Sequence, residues 1–180
     1  MKNALPLFGL FLLVACSADT AEHQEALDNL TSEWKKTTAA LGELEAALQA
    51  ERQEWKGMYA GMEAPEKVLA QLSEEQIEEL ADLKEACRGH GDAYSDMLDD
   101  VADHRADWEE TRAELELLRE ELEAGKIKGN AEERIRDLEE EVREMNEEVK
   151  VRQEELKFTL AECVETCKNY ADIVTSVNVQ

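Results

Sequence analysis

Apolar residues recur at alternating spacings of three and four along most of this chain, and that pattern leaves few folds open except long paired helices. From Leu27 every seventh residue is Trp34, Leu41, Leu48, Trp55 and Met62, with Leu30, Thr37, Leu44, Glu51 and Met58 between them. A second series runs Leu80, Cys87, Tyr94, Val101, Trp108, Leu115, Leu122, interleaved with Leu83, His90, Met97, His104, Thr111 and Leu118. A third runs Ile135, Val142, Val149, Leu156, Cys163, Tyr170, Val177, with Leu138, Met145, Arg152, Thr159, Thr166 and Ile173 between. Each series is a coiled-coil seam. Gly61 to Pro65 and Gly125 to Gly129 supply the breaks, and Ser73-Glu74-Glu75-Gln76 reads as a capping box. The expected helices are therefore 22-60, a short one at 66-72, 74-124 and 131-177, leaving 178-180 as a tail. Gly89-His90-Gly91 interrupts no phase but weakens the second long helix, since each glycine costs about 1 kcal/mol relative to alanine.

A short break between two long amphipathic helices implies an antiparallel hairpin. The second and third series superpose about the Gly125 to Gly129 break with a constant sum of residue numbers: Leu118 meets Ile135, Leu115 meets Leu138, Trp108 meets Met145, Leu83 meets Tyr170 and Leu80 meets Ile173. Folding the first helix back about the Gly61 to Leu72 connection pairs Leu41 with Tyr94 and Leu27 with Trp108. On that offset residues 109 to 145 extend past the first helix. Leu160, Cys167 and Val174 widen the stripe lower on the third helix, as burial against a second neighbour requires. The expected fold is all-α, an antiparallel coiled-coil three-helix base with a projecting two-helix hairpin.

The composition agrees. Charged residues make up 36% of the chain and aromatics 5%, which suits helices better than a thick globular core. Two prolines and eight glycines leave almost no strand or turn signals. A net charge of −24 repels phosphate backbones and excludes nucleic acid as an expected partner. No Gly-x-Ser-x-Gly, P-loop, dinucleotide fingerprint or His-Glu-x-x-His occurs, so the chain is not expected to be an enzyme.

The amino terminus carries a different message. Lys2 precedes an apolar run from Ala4 to Ala15 that ends Leu13-Val14-Ala15-Cys16. The run is too short to cross a bilayer core, which needs about 20 residues, and has the layout of a secretory signal. Leu13-Val14-Ala15-Cys16 resembles the lipobox of bacterial lipoproteins. The resemblance covers residues 1 to 16 and implies a cleaved signal peptide (1-15), a diacylglyceryl thioether on Cys16 and a lipid-bearing tether over 16-21. Several acyl chains, as most such proteins of two-membrane bacteria carry, would anchor it far more firmly than one. The class implies a cell-envelope location, and Ser17 favours the outer membrane, facing the periplasm, if the host has two membranes. No cofactor is expected beyond that lipid.

With Cys16 lipidated, Cys87, Cys163 and Cys167 remain, and the hairpin register brings them to neighbouring layers with His90. The expected chemistry is a disulfide between Cys87 and Cys167, or alternatively Cys163, because exported proteins are oxidised. The competing reading is a metal site in which Cys87-x-x-His90 and Cys163-x-x-x-Cys167 offer three sulfurs and an imidazole to zinc. No Cys-x-x-Cys-His occurs to attach a haem. Asp96, Asp99, Asp100, Asp103 and Asp107 form an acidic, solvated face, His104 sits on the seam opposite Val149, and Trp34, Trp55 and Trp108 belong to the core. Lys126-Ile127-Lys128 is a small basic, apolar tip. The sequence thus suggests a lipid-anchored envelope protein with a coiled-coil spacer or docking role, working through a protein partner or self-association. The alternative is a metal-binding or redox-responsive lipoprotein using the Cys/His cluster.

Overall fold

The computed structural model describes residues 21–126 and 129–176 in full and residues 11–20 by backbone path alone. The expected leader 1-15, the lipidation position Cys16, the tail 178-180 and the tip residues Ile127 and Lys128 lie outside the residues described in full. The chain is all-α: α1 (Phe11–Ala60), α2 (Glu66–Leu69), α3 (Glu74–Glu123) and α4 (Ala131–Ser176). Among the described residues there is no strand, and no helix is long and apolar enough to cross a membrane.

Local chemistry sets the ends of α3 and the start of α4 where the sequence indicates them, whereas α1 begins at Phe11 and not at residue 22, and α2 ends at Leu69 and not at residue 72. At the start of α3 the Gln76 N–H donates to Ser73 Oγ (3.2 Å) and the Ser73 N–H donates to Gln76 Oε1 (3.0 Å), a reciprocal capping box. α3 ends in a Schellman motif: the Lys126 N–H reaches the Glu121 carbonyl (2.9 Å) and the Gly125 N–H reaches Leu122 (3.0 Å). That closure needs a left-handed residue, and Gly125 supplies it at φ 63°. Asn130 then caps α4, its Oδ1 accepting from the Glu133 N–H at 3.5 Å. α3 runs unbroken through Gly89-His90-Gly91.

The molecule divides into two compact units that share the three long helices. Unit 1 comprises residues up to Ala39 and Arg105–Glu147. Its core is Leu27 and Leu30 of α1, Trp108, Leu115, Leu118 and Leu122 of α3, and Ile135, Leu138, Val142 and Met145 of α4, all buried. The expected α3–α4 layers therefore share one core. Polar bridges keep the same register: Thr111 Oγ1 donates to Glu141 (3.2 Å), and Arg134 clasps Glu114 (2.5 Å) and Glu121 (2.6 Å).

The offset of α1 differs from the sequence expectation. Trp34, one heptad beyond Leu27, is the residue that stacks on Trp108, with ring centroids 5.7 Å apart and planes inclined by 16°. The Trp108 indole N–H donates to Thr38 Oγ1, and Arg119 binds Asp28 (2.8 Å) and Thr31 (3.1 Å). Glu22, His23 and Ala26 reach the opening of α4, where they border a cleft with Asn130, Ile135 and Arg136. Residues 109 to 145 consequently do not project as a two-stranded hairpin: α1 covers their seam.

Unit 2 supplies the physical reason. It comprises Ala40–His104 and the chain from Glu148 onward. One cluster joins Leu41, Leu44, Leu48, Tyr94, Met97, Val101, Val149 and Leu156. A second joins Met62, Leu80, Cys87 and Tyr170, with Tyr59, Ala64, Leu69, Leu72, Leu83 and Ile173 packed against it. The connection after α1 is thus core, not a bare turn. Met62 and Val68 are buried, and the Ala64 N–H donates to the Tyr170 hydroxyl (3.1 Å). This segment occupies the layers at Leu80 and Leu83 that a tight hairpin would give to α1, and α1 is displaced along α3. A shift by a whole heptad leaves every seam residue on the seam, so the pattern alone could not choose.

A candidate functional site: the three-thiol layer

Cys163 and Cys167 are four residues apart on α4 and so lie on one face of that helix. α3 brings Cys87 against them. The Sγ atoms of Cys87 and Cys167 are 3.7 Å apart, and the three sulfurs all lie within 4.8 Å of one another. Among the described residues this is the sole set of three His, Cys, Asp or Glu ligand atoms so gathered. Cys87 and Cys163 have no solvent exposure, whereas Cys167 is half-buried and gives the layer its access to solvent. All three are free thiols. A disulfide requires about 2.05 Å between sulfurs, so the present separation is van der Waals contact.

α1 packs beside this layer through Trp55. Its indole N–H donates to the Cys87 carbonyl at 2.7 Å, and its ring lies where a Gly91 side chain would be. A Cβ on Gly91 would stand 2.1 Å from Trp55 Cζ2, which explains glycine in mid-helix there. Gly89 has nothing within 4 Å of such an atom.

The electrostatics favour neutral thiols. Burial raises Cys87 to about 12, with Cys167 and Cys163 adding to the shift and Trp55 opposing it. Burial and Cys167 raise Cys163 to about 11, with Cys87 and Tyr94 opposing the shift. Tyr94, also without solvent exposure, is pushed upward by burial, then by Cys163 and Glu51. Its hydroxyl has no conventional hydrogen-bond partner, and Cys163 is the foremost polar group acting on it. Burial and Glu54 in turn raise the Glu51 carboxyl.

His90 does not join the sulfurs. Its Nε2 lies 3.3 Å from Thr166 Oγ1, so the four-donor set of the competing metal reading, Cys87, His90, Cys163 and Cys167, reduces to three thiols. The heptad position of Tyr94 predicts a core residue, and only its unpartnered hydroxyl marks it as part of the site. Of the acidic face, Asp100 pairs with Arg152 (2.8 Å). The expected seam histidine, His104, pairs through Nδ1 with Glu148 (3.1 Å) instead of resting on Val149 alone. Trp34, Trp55 and Trp108 all pack against the cores. No protein-family model, curated protein or solved structure matches the chain.

Proposed function

We propose that this protein is a lipid-tethered envelope lipoprotein whose helical body binds a thiophilic ion at Cys87, Cys163 and Cys167. The observation that carries the reading is the convergence of three sulfurs from two helices within 4.8 Å, beside an unpartnered buried hydroxyl. Soft thiolates take soft ions, and three such ligands on rigid helices are already near the separation that a shared ion needs: with bonds of about 2.3 Å, tetrahedral zinc spaces its sulfurs by roughly 3.8 Å. The tether rests on the lipobox at Leu13 to Cys16. Reduced protein dialysed against zinc, cadmium or arsenite should retain one equivalent of at least one of them. Cys87→Ser and Cys163→Ser should abolish retention. If none is retained, the reading fails. Metabolic labelling with palmitate, lost in Cys16→Ala, tests the tether.

A second reading concerns docking. Val151, Phe158 and Val164 expose apolar side chains on α4, at 56%, 64% and 52%. Exposed apolar groups repeated along one acidic helix suit a protein partner or a second copy of the chain. Sedimentation as a strict monomer that Phe158→Asp leaves unaltered would remove the second copy from consideration.

A further inference from the structure

We propose that the Cys87–Cys163–Cys167 centre takes a trivalent metalloid of the arsenous or antimonous acid class, held as a neutral trithiolate. This proposal deepens the thiophilic-ion reading and rests on it.

Two features of the layer select the ion. The first is donor number. His90 is engaged by Thr166, and no fourth His, Cys, Asp or Glu ligand atom joins the three sulfurs among the described residues. Zinc in a closed site wants four donors, whereas trivalent arsenic and antimony are satisfied by three in a pyramid. The second feature is charge. Three thiolates around a monovalent cation leave a net charge of −2, and around a divalent cation −1, in a layer where Cys87, Cys163 and Tyr94 have no solvent exposure. The nearby Glu51 and a chain charge of −24 make an anionic centre costlier still. A trivalent centre cancels the charge.

The reaction balances without any charged intermediate surviving in the core. Arsenous acid, As(OH)3, meets three protonated thiols. Three As–S bonds form, three As–O bonds break, and each thiol proton leaves on a hydroxide as water. Arsenic stays trivalent, so no oxidant or reductant is consumed. The exchange consumes neutral thiols and a neutral acid and releases neutral water, so the buried layer carries no net charge before or after it. Cys167, the half-buried member, is the point of entry. Tyr94 acts as a positioning residue, its hydroxyl offered to the Cys163 sulfur.

The test is native mass spectrometry of the reduced, full chain with arsenite. The expected product gains one arsenic and loses three thiol hydrogens, and equimolar zinc does not displace it. Trp55, bonded to the Cys87 carbonyl, should report uptake by a change in fluorescence. Cys87→Ser, Cys163→Ser and Cys167→Ser should each abolish the three-hydrogen product. Tyr94→Phe should weaken uptake about tenfold, the usual scale for an outer hydrogen bond to a ligand, and His90→Ala should leave it unchanged. The hydrogen count on the unaltered chain stands even if a variant fails to fold. Loss of two hydrogens, or displacement by zinc, overturns the metalloid assignment while zinc bound through the same three cysteines would preserve the broader reading. Uptake of neither ion overturns both.

Discussion

Units 1 and 2 apply one heptad rule with different residues. In unit 1 the core is apolar around the stacked Trp34–Trp108 pair and admits only Thr37, Thr111 and Glu121 as buried polar groups, while ion pairs flank it in Arg119–Asp28 and the Arg134 clasp. In unit 2 the seam itself carries sulfur and hydroxyl groups, with Cys87, Cys163 and Tyr94 in positions that leucine fills elsewhere. A leucine layer gains about 25 cal/mol per Å² of buried apolar surface and asks for nothing more. A layer of three thiols and a buried phenol gives up part of that gain, which is what marks it as the candidate site.

If that contrast is right, the largest stability loss should come from unit 1. Trp108→Ala removes a fully buried ring, its stacking partner and the bond to Thr38, and should cost about 3–5 kcal/mol in urea unfolding. Cys163→Ala should cost clearly less, because a small thiol leaves a small cavity. Equal losses would erase the distinction between the units.

A paired glycine experiment sharpens it next. Gly91→Ala should destabilise the chain by about 1–3 kcal/mol, since its Cβ would collide with Trp55. Gly89→Ala, two residues away with open space, should stabilise it by up to about 1 kcal/mol. Opposite signs would establish that Trp55 is seated beside the thiol layer.

The third effect depends on pH. In an unfolded chain thiols lose their protons near 8.5, while Cys87 and Cys163 in the folded layer hold theirs to about 12 and about 11. The folded state thus binds more protons across that interval. Its contribution is whole below about pH 8.5 and is lost as pH rises toward 12. Urea midpoints should fall over this range, and the fall should be shallower in Cys87→Ala but unchanged in Trp108→Ala. The smallest effect belongs to the unit 1 rim. Arg119→Ala should cost roughly 0.5 kcal/mol, fading with added salt, because that pair is largely exposed.

Much of this was legible in the sequence. The heptads gave the helices, Ser73 and Gln76 the cap, and the α3–α4 register the approach of Cys87 to Cys167. The offset of α1 was not legible, because heptad shifts are degenerate and the burial of Met62 and Val68 comes from a segment too short to show a period. Nor was the replacement of His90 by Tyr94. Both sit at seam positions, and only three-dimensional placement reveals that His90 meets Thr166 while the Tyr94 hydroxyl has no conventional partner.

The central claim is that three sulfurs from α3 and α4 serve one centre. X-ray absorption at the arsenic edge of the arsenite-loaded protein tests it most directly. The account predicts a single shell of three sulfur neighbours and no oxygen. Two sulfurs with one oxygen would contradict it.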